Sequence, residues 1–459
     1  MRWNRSILVI TGSVVHLWLL LSWCQHFKLQ SLWPPLVEPV EGSANLKGIQ
    51  YQEPMPLEPS LFPWQRHRKQ MNVTLIQVPQ RRDMNTVDRL FAEPRVLNPG
   101  YDFFQLYWAG LALANGISIY ENVTGAYEQS VRDYLNFRVP FHHPFRYFPW
   151  IALAVGMPLN ALSPWNAYIL WILLIEVIFG LSVYLTCQWF DGPHVLVGAM
   201  MWFFFLPYYL DLYLGQTSFL LGFLIFIVLM EFARLTEHRY PLVSAAGFTL
   251  GALIKPVPLY FAPVFILRRR WRLLIVPPLI LALTSLAYFL LHPADSGLFL
   301  GWLFGSKPLP SLNLPGFLGY MLPAWMIRIL SLGILVLSLD VTLRHRSRIL
   351  LLAGVWLSTY FLTYTHVWEH HYAMLLPLLV ILYIRTGSPV ILAIFVLIAL
   401  PSPYLLIDPG AGPLHKMLIR APKTAATIWL YGWLLGKCRS RRLDDAMTFD
   451  YVEAPIPPV

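Results

Sequence analysis

The sequence predicts an all-α polytopic membrane protein with about eleven to thirteen membrane helices, re-entrant segments among them, and interfacial helices on the outer face. Three observations carry this. Of 459 residues, 57% are hydrophobic and 13% charged, roughly half the charged share of an ordinary soluble domain. The apolar residues come in blocks of about 15 to 25, the length that a hydrocarbon core roughly 30 Å thick imposes on a helix. The basic residues gather at block ends, at Arg268 to Arg272, Arg344 to Arg348 and Lys437 to Arg442, as cytoplasmic loops require. The formal net charge of +10 is therefore read as membrane orientation rather than as a nucleic-acid surface.

In chain order, residues 1–24 form a signal-anchor helix: basic Met1 to Arg5 precede the apolar run Ile7 to Cys24, and Trp23 is too bulky for a cleavage site. Residues 25–147 form a long outer loop. Its first part, 25–99, is a proline-rich insert; its second, 100–147, carries aromatic residues at helical spacing, as interfacial helices do. Residues 148–437 form the polytopic domain and 438–459 a cytoplasmic tail. Crossings are predicted at Trp165 to Phe190, Val195 to Leu212, Gln216 to Met230, Leu273 to Leu291, Met321 to Leu339, Ile349 to Tyr364, Tyr372 to Ile384, Val390 to Ile407 and Thr427 to Leu435. Two segments are broken, Pro241 to Leu267 by Lys255-Pro256 and Phe148 to Ser163 by Gly156-Met157-Pro158, and both are expected to be re-entrant or interfacial. With the N-terminus inside, the outer side receives residues 25–164, Tyr213 to Gly215, His292 to Tyr320, Thr365 to His371 and Asp408 to Ala426. Cys24, Cys187 and Cys438 lack metal-ligand spacing and form no disulfide framework.

The polar residues on that outer face carry the chemistry. Asp102 heads the aromatic segment Phe103 to Gly110. It either caps the helix or acts as a general base on an attacking hydroxyl. His366, Trp368, Glu369, His370 and His371 crowd one membrane boundary, either as an aromatic belt with incidental histidines or as groups that meet a phosphate and a sugar. His366 and His370 stand four apart, but no third metal ligand accompanies them, so neither metal nor cofactor is expected. Arg138 and Arg146 either neutralise a phosphate or reach lipid headgroups. Gln216 bonds a sugar or caps the next helix. Glu176, Asp211 and Lys255 lie nearer membrane depth, where an ionisable group must be paired or wetted. Glu176 and Lys255 are expected to be structural polar residues, Lys255 holding helix ends together.

The order of these pieces resembles glycosyltransferase family 87, membrane enzymes of the GT-C class that use polyprenyl-phosphate sugars such as mannose or arabinofuranose. Those pieces are Asp102-Phe103 with Tyr107-Trp108-Ala109-Gly110, Asn115 to Tyr120, Arg146 to Trp150, Gly215-Gln216, Lys255-Pro256 before Arg268 to Arg272, and Trp368-Glu369-His370-His371. The resemblance implies a GT-C fold with Asp102 as catalytic base and His370 and His371 near the donor phosphate. Tyr107, Gln216, Trp368, Glu369, His366, Arg138 and Arg146 are expected around the donor. The reaction is then inverting transfer from a polyprenyl-phosphate sugar to a glycan or glycolipid hydroxyl, outside the cell membrane and without bound metal. The insert 25–99 exceeds what the family pattern requires and is assigned to the acceptor side. A secondary transporter or lipid-linked-sugar flippase is the competing class, but Pro241 to Leu267 has no counterpart in a second half.

Overall fold

The structure is a computed structural model that describes residues 10–18, 100, 102–116, 118–120, 145–233, 241–305, 311–400, 402 and 413–440. The insert 25–99, Arg138 and the tail beyond 440 lie outside them. All the regular structure among the described residues is helical, as predicted, because only a helix satisfies its own backbone in lipid.

By length and composition, four helices can cross a membrane: Asn166–Trp189, Val195–Leu214, Trp271–Leu291 and Ala324–Arg344. Their outward faces are as apolar as their inward ones. On α3 (Pro164–Trp189), Tyr168, Trp171, Ile175 and Phe179 are buried while Leu170, Leu173, Val177 and Tyr184 are exposed. A helix in water would place polar residues on that second face. Buried hydroxyls supply contacts between helices, as Trp202 Nε1 does by donating to Thr186 Oγ1 at 3.0 Å.

The remaining apolar helices are shorter, with 10–17 residues, because proline and polar residues interrupt them. Val195–Leu214 keeps the length of the one crossing expected of it but bends at Phe204-Phe205 between α4 (Val195–Phe203) and α5 (Leu206–Leu214), with Pro207 opening the second piece. The break at Lys255-Pro256 is found as expected: α7 (Pro241–Ile254) ends there, and a 3₁₀ turn, Val257–Phe261, leads into α8 (Ala262–Leu267). Thr427 to Leu435 belongs to a much longer helix, α16 (Pro413–Arg439). The span Asp408 to Ala426, expected as a loop, is therefore helical from Pro413 onward, and Arg420 and Lys423 within it are buried.

The first aromatic segment is α1 (Phe103–Ala114), of which Phe103 to Ala112 are buried. It is a core element rather than a helix resting on the surface. It crosses α2 (Pro149–Leu159) where Gly110 meets Gly156. That contact lies on a π-helical widening of α2, Ala152–Gly156. Asn160 Nδ2 donates to the Gly156 carbonyl at 2.7 Å and to the Tyr107 carbonyl at 3.1 Å, tying the crossing together. A Cβ on Gly110 would lie 2.1 Å from the carbonyl carbon of Gly156. Backbone cannot yield as a flexible side chain can, so Gly110→Ala is expected to destabilise the protein by about 1–3 kcal/mol. Thermal unfolding in detergent, with the exposed Gly180→Ala as control, checks this; equal Tm values would refute it.

Candidate active site

The turn between α5 and α6 (Ser218–Ala233) is the hub of the polar cluster. Gly215 takes the left-handed conformation at φ 66°, which a side chain would strain and where a Cβ would sit 2.5 Å from Phe103 Cβ. Its neighbours hold the start of α1: Gly100 N–H donates to the Tyr213 carbonyl at 2.8 Å and Asp102 N–H to the Leu214 carbonyl at 3.0 Å. The half-buried Asp102 makes no side-chain hydrogen bond that caps α1.

The same turn gathers three further groups. Tyr147 donates its hydroxyl to Gln216 Oε1 at 3.4 Å and lies 3.3 Å from Thr217 Oγ1. Burial raises the Tyr147 pKa well above its ordinary value, so the phenol stays protonated. Asp211, fully buried, accepts the Phe219 N–H at 3.1 Å through Oδ2, while its Oδ1 has no hydrogen-bond partner. Lys255 reaches in from the α7 break, its Nζ 5.6 Å above the Tyr147 ring. The carboxylates of Asp211 and Asp102 attract that ammonium and the exposed Arg146 repels it.

The histidine loop packs against this hub. It follows α13 (Ile349–Thr363) and forms a 3₁₀ turn, Glu369–Met374. There the Ala373 carbonyl lies so close to α6 that a Cβ on Gly222 would meet it at 2.8 Å. His371 Nδ1 accepts the Trp368 N–H at 3.0 Å, and its Nε2 faces Lys255 Nζ at 3.5 Å. The His370 ring stands 4.4 Å from that of His371, with Nε2 buried and unpartnered.

Two locks fix the loop from outside. Ser311 and Asn313 clasp its entry: Leu312 N–H donates to the Val367 carbonyl at 2.7 Å, Val367 N–H to Ser311 Oγ at 2.9 Å, and Asn313 Nδ2 to the Tyr364 carbonyl. Behind the turn, Glu369 meets Lys423 of α16 at 3.2 Å, both side chains 1% exposed. Lys423 also donates to the carbonyls of Ile398 and Leu400 at 2.7 and 2.8 Å, which end α15 (Pro389–Ala399).

Of the residues singled out in the sequence, Asp102, Arg146, Gln216, Lys255, His366, His370 and His371 come to one site, linked by the contacts above or by the reach of their charges. Two are placed differently. Tyr107 is fully buried and spends its hydroxyl on the Leu162 carbonyl at 2.9 Å, so it packs rather than binds. Glu369 points away from the site into the Lys423 lock. Trp368 contributes its backbone N–H by orienting His371. Glu176 is a structural group, accepting from Tyr208 at 2.7 Å and pairing with His16 at 2.8 Å. Among the described residues no three His, Cys, Asp or Glu gather as a metal site. Asp211, Tyr147 and Thr217 join the site although sequence reasoning left them out of it; a buried carboxylate beside Gly215-Gln216 was the available signal.

Burial lowers the pKa of His370 and His371 well below the usual histidine value, helped for His371 by the neighbouring His370 and for both by the charge of Lys255. Both are neutral near pH 7. The unfolded chain takes up protons as pH falls below about 6.5 while the folded one does not, so stability drops in that direction, by up to about 1.4 kcal/mol per pH unit for each group. Unfolding of the wild type between pH 7.5 and 5.5 should show a Tm loss that His370→Gln/His371→Gln reduces; an equal loss in both would refute the assignment.

Long helices apolar on both faces, with a carboxylate, an ammonium and paired imidazoles gathered at the helix breaks, mark a membrane protein that holds a polar cluster within an apolar body. Residues 145–309 match the model of Glycosyltransferase family 87. The match takes in Arg146, Tyr147, Asp211, Gln216 and Lys255, and the geometry alone joins Asp102 and the histidine loop to them. Among solved structures, ArnT from Cupriavidus metallidurans in the apo state is similar over 76% of this chain and 74% of that one, at 16% identity and a TM-score of 0.37, too loosely to transfer chemistry. No curated protein matches the chain.

Proposed function

We propose that the protein transfers a sugar, mannose or arabinofuranose, from a polyprenyl-phosphate donor to a hydroxyl of a glycan or glycolipid, with inversion, on the extracytoplasmic face of the plasma membrane. One observation carries the reading. Asp102, a carboxylate not engaged in capping its helix, is clamped to the turn that also orders Gln216, Tyr147 and, through α6, the histidine pair.

The chemistry follows from these parts. Asp102 takes the proton of the acceptor hydroxyl as that oxygen bonds the anomeric carbon. The bond from that carbon to the phosphate oxygen breaks on the opposite face, and its electron pair leaves on the polyprenyl phosphate. Donors already oriented toward that charge lower the barrier, since they need not reorganise as it develops. In this reading Tyr147 and Gln216, hydrogen-bonded to each other at the turn, bond the sugar hydroxyls. The prenyl chain stays in lipid against the exposed apolar faces. Purified full-length protein reconstituted with radiolabelled polyprenyl-phosphate mannose or arabinofuranose and a crude glycolipid extract should yield labelled product. Movement of intact donor across the bilayer without product would replace the reading with transport.

A further inference from the structure

The stretch Asn115 to Tyr120 follows α1, and no part of the transfer scheme uses it. Its end is held by a buried carboxylate. Asp295, 2% exposed, stands in the first turn of α10 (Pro293–Gly305). A carboxylate only accepts, and hydroxyls take both of its oxygens: Ser118 Oγ donates to Oδ1 at 2.5 Å, and Tyr288 of α9 (Trp271–Leu291) donates to Oδ2. With its proton committed, each hydroxyl oxygen offers its lone pairs to the backbone. Tyr288 accepts the Ile119 N–H at 3.2 Å and Ser118 Oγ the Tyr120 N–H at 3.3 Å. One carboxylate thus holds two successive peptide groups through two hydroxyls. The Tyr120 side chain carries that hold onward. Its ring packs with those of Phe145, Phe289 and Phe299 at 5.7, 6.0 and 5.3 Å, and its hydroxyl donates to the Tyr147 carbonyl at 2.6 Å.

We propose that Tyr120 is a positioning residue of the sugar transfer, anchored by Asp295, that sets Tyr147 against a hydroxyl of the donor's sugar. This rests on the transferase reading above, which gives Tyr147 its sugar contact, and adds what fixes that contact in place. Tyr147 has only a weak grip of its own. Its hydroxyl lies 3.4 Å from Gln216 Oε1 and 3.3 Å from Thr217 Oγ1, beyond the usual range for hydroxyl bonds. Contacts that long leave the phenol able to turn to a ligand, but they do not hold the ring. The short bond on its carbonyl does. Phe299 of α10 packs with both Tyr120 and Phe148, at 5.3 and 5.2 Å, so the support reaches the backbone on either side of that carbonyl. A sugar hydroxyl is told from its absence by groups already oriented to bond it, so loosening Tyr147 costs selectivity as well as rate.

The test compares reconstituted full-length wild type, Tyr120→Phe, Tyr147→Phe and the double variant. The readout is kcat/KM for polyprenyl-phosphate mannose or arabinofuranose, whichever is transferred, and for its monodeoxy analogues. Tyr120→Phe removes one hydroxyl and keeps the ring among its aromatic neighbours. It should lower kcat/KM about three- to tenfold, the worth of one buried hydrogen bond. It should also narrow discrimination against the analogue lacking the hydroxyl that Tyr147 meets, whereas a general loss of stability would slow all donors alike. In the Tyr147→Phe background the same change should cost nothing further, because residues acting through one another give non-additive losses. Losses that multiply, or a Tyr120→Phe protein equal to wild type, overturn the positioning role and leave the transferase standing. Tyr147→Phe as active and selective as wild type overturns that role together with the sugar contact. No transfer by the wild type overturns the reading on which both rest. Should Tyr120→Phe unfold far below the wild type in detergent, Ser118→Ala replaces it in the cycle: coupling to Tyr147→Phe supports the positioning role, and independent losses overturn it.

Discussion

Asp102→Asn is expected to lower transfer by about 10²- to 10⁴-fold with the fold unchanged, the range a positioned general base contributes. The substitution keeps size and shape and removes the group that takes the proton. The structure gives reason to expect a folded variant: the residue holds its place through the backbone N–H bond to Leu214 at 3.0 Å, and its side chain makes no helix cap. Single-turnover transfer measured beside donor binding separates the two roles. Loss of rate with retained donor affinity supports a base; an unchanged rate would remove Asp102 from the mechanism.

Lys423→Met is expected to cost about 3–5 kcal/mol of stability and most of the activity, because it strands a buried carboxylate. Glu369 is 1% exposed, and its second oxygen already lacks a partner. The lysine also satisfies the carbonyls of Ile398 and Leu400. By contrast the Arg344–Asp340 pair, with side chains 71% and 39% exposed, should contribute under about 1 kcal/mol. The double variant Lys423→Met/Glu369→Gln should recover part of the loss, since the stranded charge is gone. Thermal unfolding of the four proteins measures this; a single Lys423 variant as stable as Arg344→Ala would show that the lock does not hold the histidine loop.

These expectations bear on how the site is built. Neither Asp102 nor His371 is positioned by its own helix. Asp102 is held by the carbonyl end of α5, and His371 by Trp368 in front and the Glu369–Lys423 pair behind. The proposed catalytic groups stand where helices break, and helices beside the site supply the rigidity that catalytic distances require. The loose ends of α5, α7 and α13 are where polar backbone becomes available in an otherwise apolar body.

Much of this was legible in the chain itself. Apolar blocks with basic ends specify membrane helices because the cost of exposing backbone to lipid leaves no alternative. Lys255-Pro256 marked a break because proline cannot continue the hydrogen-bond ladder. Asp102, Gln216 and the paired histidines stood out because polar residues beside apolar helices need a reason. The direction in which each side chain points did not show. Tyr107 and Glu369 carry the same chemistry as their neighbours, yet one faces the Leu162 carbonyl and the other Lys423. Lys423, in a stretch that looked like a loop, gave no local sign of its partner 54 positions earlier.

The sequence by itself determined the class of fold, the helix breaks and the polar residue types that stand beside them, since hydropathy, charge and proline act locally and leave a readable pattern. Only the tertiary structure decided which polar groups face one another. It set Lys255 opposite His371, turned Glu369 away into a buried pair and brought Asp211 beside the Gly215 turn. Such meetings depend on how distant helices pack, and packing is a property of the whole body rather than of any window along the chain.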